Sequence, residues 1–167
     1  MTQIEHSPIL GTRRIHWPDE AACAASAAAL ARPPLRPALQ DATLELDGPL
    51  GAGKTTFVRH LLHALGVAGR VKSPTYAVVE PYEIDGLRIG HFDFYRFDDP
   101  QEWEDAGLRE VFGAAGLKLV EWAEKAAPLL PAPDLRLAIA PREGTAREVH
   151  VDAFTPRGVE LLMGFDA

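Results

Sequence analysis

The chain has 167 residues, 47% of them hydrophobic and 25% charged, a balance that suits one α/β domain with a real core. It holds no run of about 18 apolar residues, which excludes a membrane-spanning helix. Its one cysteine, Cys23, excludes an internal disulfide and a cysteine-based zinc site, and points to a reducing, cytoplasmic compartment. A net charge of −7 argues against a protein that grips nucleic acid over a broad face.

Along the chain, Arg13–His16 reads as a short strand and Pro18–Leu30 as a helix, with Pro18, Asp19 and Glu20 at its start. The alanine-rich stretch Ala21–Ala31 follows those acids, where a signal peptide requires positive charge. Arg32-Pro33-Pro34 breaks the helix. Thr43–Leu46 forms a strand that runs through Asp47 into Gly48-Pro49-Leu50-Gly51-Ala52-Gly53-Lys54-Thr55. Phe57, Val58, Leu61, Leu62 and Leu65 then recur at helical spacing, with Gly66 as the cap. Tyr76–Ile84 and Leu87–Tyr95 read as a hairpin around Asp85-Gly86, and Pro81 assigns the first of them to a sheet edge. Pro100–Ala106 and Leu108–Phe112 read as short helices, and Leu117–Glu121 as a buried strand. Pro128, Pro131 and Pro133 mark a loop, Leu135–Ala140 and Glu148–Asp152 are later strands, and Thr155-Pro156 opens a last helix ending near Met163. βα units mixed with hairpins predict a three-layer α/β fold: a mainly parallel central sheet flanked by antiparallel strands and helices, one domain over residues 1–167.

Gly48-x-x-x-x-Gly53-Lys54-Thr55 is a complete Walker A pattern, standing between a predicted strand and a predicted helix. The expected fold is therefore of the P-loop NTPase type. Glycines let backbone amides turn inward around phosphate oxygens, and the helix that follows presents its positive end to the anion. Lys54 is expected to reach the β- and γ-phosphates and the Thr55 hydroxyl to meet Mg²⁺, with Leu50, Gly51, Ala52 and Thr56 lining the same cradle. The chain contains no asparagine, so it lacks the Asn-Lys-x-Asp element that reads guanine, and ATP is the expected nucleotide.

Two carboxylates are candidates for the metal and the attacking water. In His91-Phe92-Asp93-Phe94-Tyr95-Arg96, His91, Asp93 and Tyr95 share one face of a strand and the two phenylalanines the other. By pattern, Asp93 is equally a site residue or a solvated acid on an amphipathic strand. Glu121 closes a buried strand, where α/β sheets bind ligands, and by pattern is equally a surface acid. Ser73-Pro74-Thr75 reads as a turn or as a loop sensing a γ-phosphate. His60 and His63 read as packing or solvated residues, and Trp17, Trp103 and Trp122 as packing residues.

Four motifs together give a resemblance: Gly48–Thr56, Val71-Lys72-Ser73-Pro74-Thr75, His91–Arg96 and Val120-Glu121-Trp122. In order and separation they resemble the TsaE (YjeE) family of bacterial ATPases that support threonylcarbamoyladenosine formation in tRNA. Ala123 and Phe97 depart from the family's usual Pro and Leu without removing a chemical group. The resemblance implies that Asp93 is a Mg²⁺-linked acid, that Glu121 is a second acid at the metal or its water, that Thr75 responds to nucleotide and that Trp122 lies close to it. It also implies an accessory ATPase that docks on a TsaB–TsaD pair and meets tRNA only indirectly. A small-molecule or nucleoside kinase with Asp93 as base, and an ATP sensor without turnover, are the rival readings.

Overall fold

A computed structural model describes residues 7–71, 74, 78–105, 107–127 and 129–166. The elements in order are β1 (Gly11–Trp17), α1 (Glu20–Leu30), α2 (Arg36–Leu39), β2 (Thr43–Asp47), α3 (Lys54–Leu65), β3 (Val79–Ile84) and β4 (Leu87–Asp93). They continue with α4 (Pro100–Asp105), α5 (Leu108–Gly113), β5 (Leu117–Glu121), β6 (Leu135–Pro141), β7 (Arg147–Ala153) and α6 (Pro156–Leu161). Short 3-10 turns cover Ala123–Lys125 and Leu162–Phe165.

All seven strands form one sheet in the order β1-β7-β6-β2-β5-β4-β3. The four central strands β6, β2, β5 and β4 run parallel, while β3, β7 and β1 add antiparallel at the two sides. The expected mixed sheet is therefore present, its parallel pairings confined to the middle. Parallel strands require burial on both faces, and the sequence supplies it. On β5, Leu117 and Leu119 pack with Leu44 and Leu46 of β2 and with Phe57, Val58 and Leu61 of α3, whereas Val120 joins Phe92, Phe94, Trp103 and Phe112 under α4 and α5. Trp17 stacks on Phe57, ring centroids 5.9 Å apart, and so ties the end of β1 to α3.

Local chemistry sets the boundaries. Asp19 caps α1 by accepting from the Ala22 amide at 3.0 Å, which leaves Pro18 outside the expected helix. The short α2 was not expected after Pro33-Pro34; Pro37 sits in its first turn, where a missing N–H costs nothing. β4 stops at Asp93 rather than Tyr95, because the Asp93 carboxylate accepts the Tyr95 amide at 2.9 Å and turns the chain. Asp85 and Gly86 both take positive φ, as a two-residue hairpin turn requires, and β3 is the edge strand that Pro81 indicated. Thr155 caps α6 through the Gly158 amide. Tyr76, Ala106 and Pro128, named in the expected elements, lie outside the described residues. Among the described residues, no helix is long and apolar enough to cross a membrane.

The sheet brings three strand ends together. β4 and β5 are in register at Asp93 and Glu121, and β5 is hydrogen-bonded to β2, whose last residue leads into the glycine-rich loop and α3. Ligands of open α/β sheets bind at such carboxyl ends.

Candidate functional site

The glycine-rich loop is shaped by close approach to β6. At Gly48, with φ 147°, an added Cβ would stand 2.5 Å from the Ile139 carbonyl oxygen and 3.0 Å from the Ala52 Cβ. Gly53 takes φ 109° immediately before α3, and no side chain caps the helix there. Its first-turn amides thus face the loop without a side-chain acceptor, an arrangement suited to an anion.

Lys54 and Thr55, the first residues of α3, point in different directions. Lys54 is buried; its Nζ donates to the Gly48 carbonyl at 2.6 Å and stands 3.4 Å from the centroid of the Trp122 ring. Burial pulls its pKa below the ordinary lysine value, against the opposing pull of the Glu121, Glu124, Asp47 and Asp93 carboxylates. Thr55 Oγ1 lies 2.9 and 3.1 Å from the two oxygens of Glu121 and donates its single proton to that carboxylate. Glu121 is itself buried, and its Oε2 is 2.5 Å from His91 Nε2. The three side chains form one line: Thr55 on α3, Glu121 at the end of β5, His91 on β4.

Trp122 follows Glu121 with φ 59°, a left-handed conformation that costs a bulky residue about 1–2 kcal/mol. That turn brings its ring over Lys54 and 4.9 Å from the ring of Tyr95. From the far side, Arg147 of β7 donates through Nε to the Ala52 carbonyl at 2.8 Å.

These groups line a cleft of about 680 Å³ whose walls include Leu50–Thr56, Pro74, Asp93, Tyr95, Arg96, Glu121, Trp122 and Arg147. A smaller recess of about 170 Å³ shares Ala52, Gly53, Thr56 and Arg147 with it, and is completed by Trp17, Asp19, Glu20, Cys23 and Thr145. Burial pushes the Cys23 thiol up to about 12, so it is an unreactive wall.

Of the residues singled out in the sequence, Leu50, Gly51, Ala52, Gly53, Lys54, Thr55, Thr56, Asp93, Glu121 and Trp122 meet at this one cleft, and Gly48 lies beneath it as the acceptor of Lys54. Thr75 and Ser73 lie outside the described residues; Pro74 between them is on the cleft wall. His60 faces Glu20 and His63 the Gly69 carbonyl, each at 2.9 Å and away from the cleft. Trp17 and Trp103 are core residues, as expected, whereas Trp122 is on the cleft wall. Sequence reasoning missed Arg147 and the direct contact of His91 with Glu121. No local signal could have found Arg147, since its contact joins positions 95 residues apart.

Chemically, loop amides, Lys54 and Arg147 suit a polyanion, while Thr55, Glu121 and Asp93 offer hard oxygen donors for a small divalent cation. Among the described residues, no group of three or more His, Cys, Asp and Glu side chains could hold a metal by itself. A cation here would take further oxygens from the bound anion and from water, as Mg²⁺ does beside phosphates.

Comparison with known proteins agrees over most of the chain. The family profile described as "Threonylcarbamoyl adenosine biosynthesis protein TsaE" matches residues 17–149. The chain is 43% identical over 120 residues to the tRNA threonylcarbamoyladenosine biosynthesis protein TsaE of Haemophilus influenzae, covering 72% of this chain and 75% of that one. It is 41% identical over 106 residues to the protein of the same description from Bacillus subtilis, covering 64% and 66%. The crystal structure of Bacillus subtilis YdiB superposes with a TM-score of 0.74 at 29% identity, over 94% of this chain and 95% of that one.

Proposed function

The chain belongs to the TsaE family, and on that premise we propose that it is a Mg²⁺-dependent ATPase of P-loop NTPase fold, supporting threonylcarbamoyladenosine formation on tRNA. The observation that carries the proposal is the line from Thr55 through Glu121 to His91, set beside an uncapped helix start and a buried lysine. The phosphates lie over the loop, where Lys54 exchanges the Gly48 carbonyl and the Trp122 face for β- and γ-phosphate oxygens. The nucleoside extends past Thr56 into the smaller recess beside Asp19 and Thr145. With no asparagine in the chain, nothing supplies the usual guanine-reading element, and adenine is the base.

Thr55, Asp93 and Glu121 would hold the metal side of the site, directly or through its waters. A Mg²⁺ held by them would supply charge neutralisation at the phosphates. Glu121 and Asp93 would orient a water for attack on the γ-phosphorus, with the bond to the β–γ bridging oxygen breaking so that ADP and free phosphate leave. A kinase would instead deliver that phosphoryl group to an acceptor hydroxyl.

Family membership implies a pathway with other Tsa proteins, and we take the partner to be a TsaB–TsaD pair. Nucleotide can drive docking only if the docked and free states differ in affinity for it. The cleft rim offers such a sensor, because Leu50 and Tyr95 are exposed at its edge. Slow turnover by the free chain and fast turnover on the pair are expected. The acidic chain meets tRNA only through that pair.

Equilibrium binding tests the first half of the proposal. The parent should bind ATP more tightly than GTP and more tightly with Mg²⁺ than without. Lys54→Ala should lose ATP binding by about 100-fold or more. Undiminished binding by Lys54→Ala, with the variant folded, would overturn it.

A further inference from the structure

We propose that His91 is a positioning residue that locks the Glu121 carboxylate in the orientation the site uses. This rests on the reading of Glu121 as an acid of the metal and its water. His91 is fully buried on β4, on the face shared with Ile89 and directed towards α3. Its Nε2 stands 2.5 Å from Glu121 Oε2, across the boundary between two parallel strands. A carboxylate only accepts, so the imidazole carries its proton on Nε2 and donates it.

The other ring nitrogen, Nδ1, has no hydrogen-bond partner among the described residues. A buried unpaired nitrogen costs about 1–3 kcal/mol. Stability alone would favour an apolar side chain at this position, as at Phe92 and Ile89 beside it. What requires an imidazole here is Glu121. Its carboxylate, 2% exposed, would otherwise depend on the single proton of Thr55. Thr55 spans both oxygens and His91 holds Oε2, so rotation of the carboxylate on the cleft wall is restricted. Without His91, Oε2 keeps only its share of the Thr55 proton, and the buried carboxylate turns away from the place where cation and water would be held.

His91→Leu removes the donor and keeps the bulk. His91→Gln keeps a donor N–H near the position of Nε2. Turnover of ATP at saturating nucleotide should fall about 10- to 100-fold in His91→Leu and recover to within about threefold of the parent in His91→Gln. ADP affinity without Mg²⁺ should change less than about twofold in either, because the phosphate cradle is untouched. The gain in ADP affinity on adding Mg²⁺ should shrink in His91→Leu and return in His91→Gln. Nitrogen-15 NMR of the parent should show the His91 proton on Nε2. A proton on Nδ1 with none on Nε2 would overturn the proposal even if neither variant folds, and so would His91→Leu turning over like the parent or a folded His91→Gln no better than it. If the parent releases no phosphate even with its partner proteins, the ATPase reading falls. The Mg²⁺ dependence of ADP affinity then decides His91 alone: equal dependence in all three proteins overturns the assignment, and loss with recovery sustains it.

Discussion

Replacing Gly48 by alanine tests the geometry of the loop itself. At φ 147° the backbone sits in a region used almost only by glycine, and holding an alanine there costs about 1–3 kcal/mol. The new Cβ would also lie 2.5 Å from the Ile139 carbonyl oxygen and 3.0 Å from the Ala52 Cβ, so β6 or the loop must move. Overpacking against backbone adds about 1–3 kcal/mol, for a total of about 2–6 kcal/mol. In a chain of this size that lowers Tm by roughly 4–24 °C. Gly51→Ala is the control: its φ of 79° is also left-handed, but nothing lies within 4 Å of the added carbon. It should lose only about 1–2 kcal/mol. Urea denaturation of the three proteins, read by far-UV circular dichroism, measures both. If Gly48→Ala is no less stable than Gly51→Ala, the close approach of loop and β6 is wrong.

Three further outcomes follow from the same structure. In a Trp17→Phe background, which removes the tryptophan on the wall of the smaller recess, nucleotide binding should draw Lys54 off the Trp122 ring and change tryptophan emission, since Trp103 is 3% exposed in the core under α4 and α5. Trp122→Phe should abolish that change, and an undiminished response would place the reporter elsewhere. Arg147→Met, which keeps the apolar stem but loses the bond to the Ala52 carbonyl, should weaken ATP binding about tenfold by calorimetry with little loss of stability; unchanged affinity would remove Arg147 from the site. Glu45 on β2 is buried, and desolvation raises its pKa above the ordinary 4.5, opposed by Arg136 at 3.3 Å. The folded state therefore holds this proton more tightly than the unfolded chain, and stability falls as pH rises from the ordinary value through the raised one. Glu45→Gln should remove that fall, so its stability relative to the parent increases as pH rises above the ordinary carboxylate value in urea titrations; a constant difference would refute the assignment.

Much of this arrangement was legible in the sequence because its signals are local. Glycine spacing, helical recurrence of Phe57 to Leu65 and the Asp85-Gly86 turn each act within a few residues, and each element appears where its signal stands. The alternation in His91–Tyr95 held over the strand itself: Phe92, and Phe94 just beyond it, enter the α4–α5 core, and His91 and Asp93 turn to the other face, whereas Tyr95 lies past the strand's end. What pattern alone left even was whether Asp93 and Glu121 are acids of a site or solvated surface acids. That depends on strand order and register, which pairing across distant segments decides. Arg147 and the bond of His91 to Glu121 were illegible for the same reason. α2 escaped because only four residues and a first-turn proline define it.

The measurement that tests the central claim most directly is phosphate release from ATP·Mg²⁺, by the chain alone and with a matched TsaB–TsaD pair, alongside Lys54→Ala, Asp93→Ala and Glu121→Ala. The account predicts slow release alone, stimulation by the pair, and loss of at least about 100-fold in each variant. No stimulation by the pair, together with phosphate appearing on an added small-molecule acceptor, would contradict it.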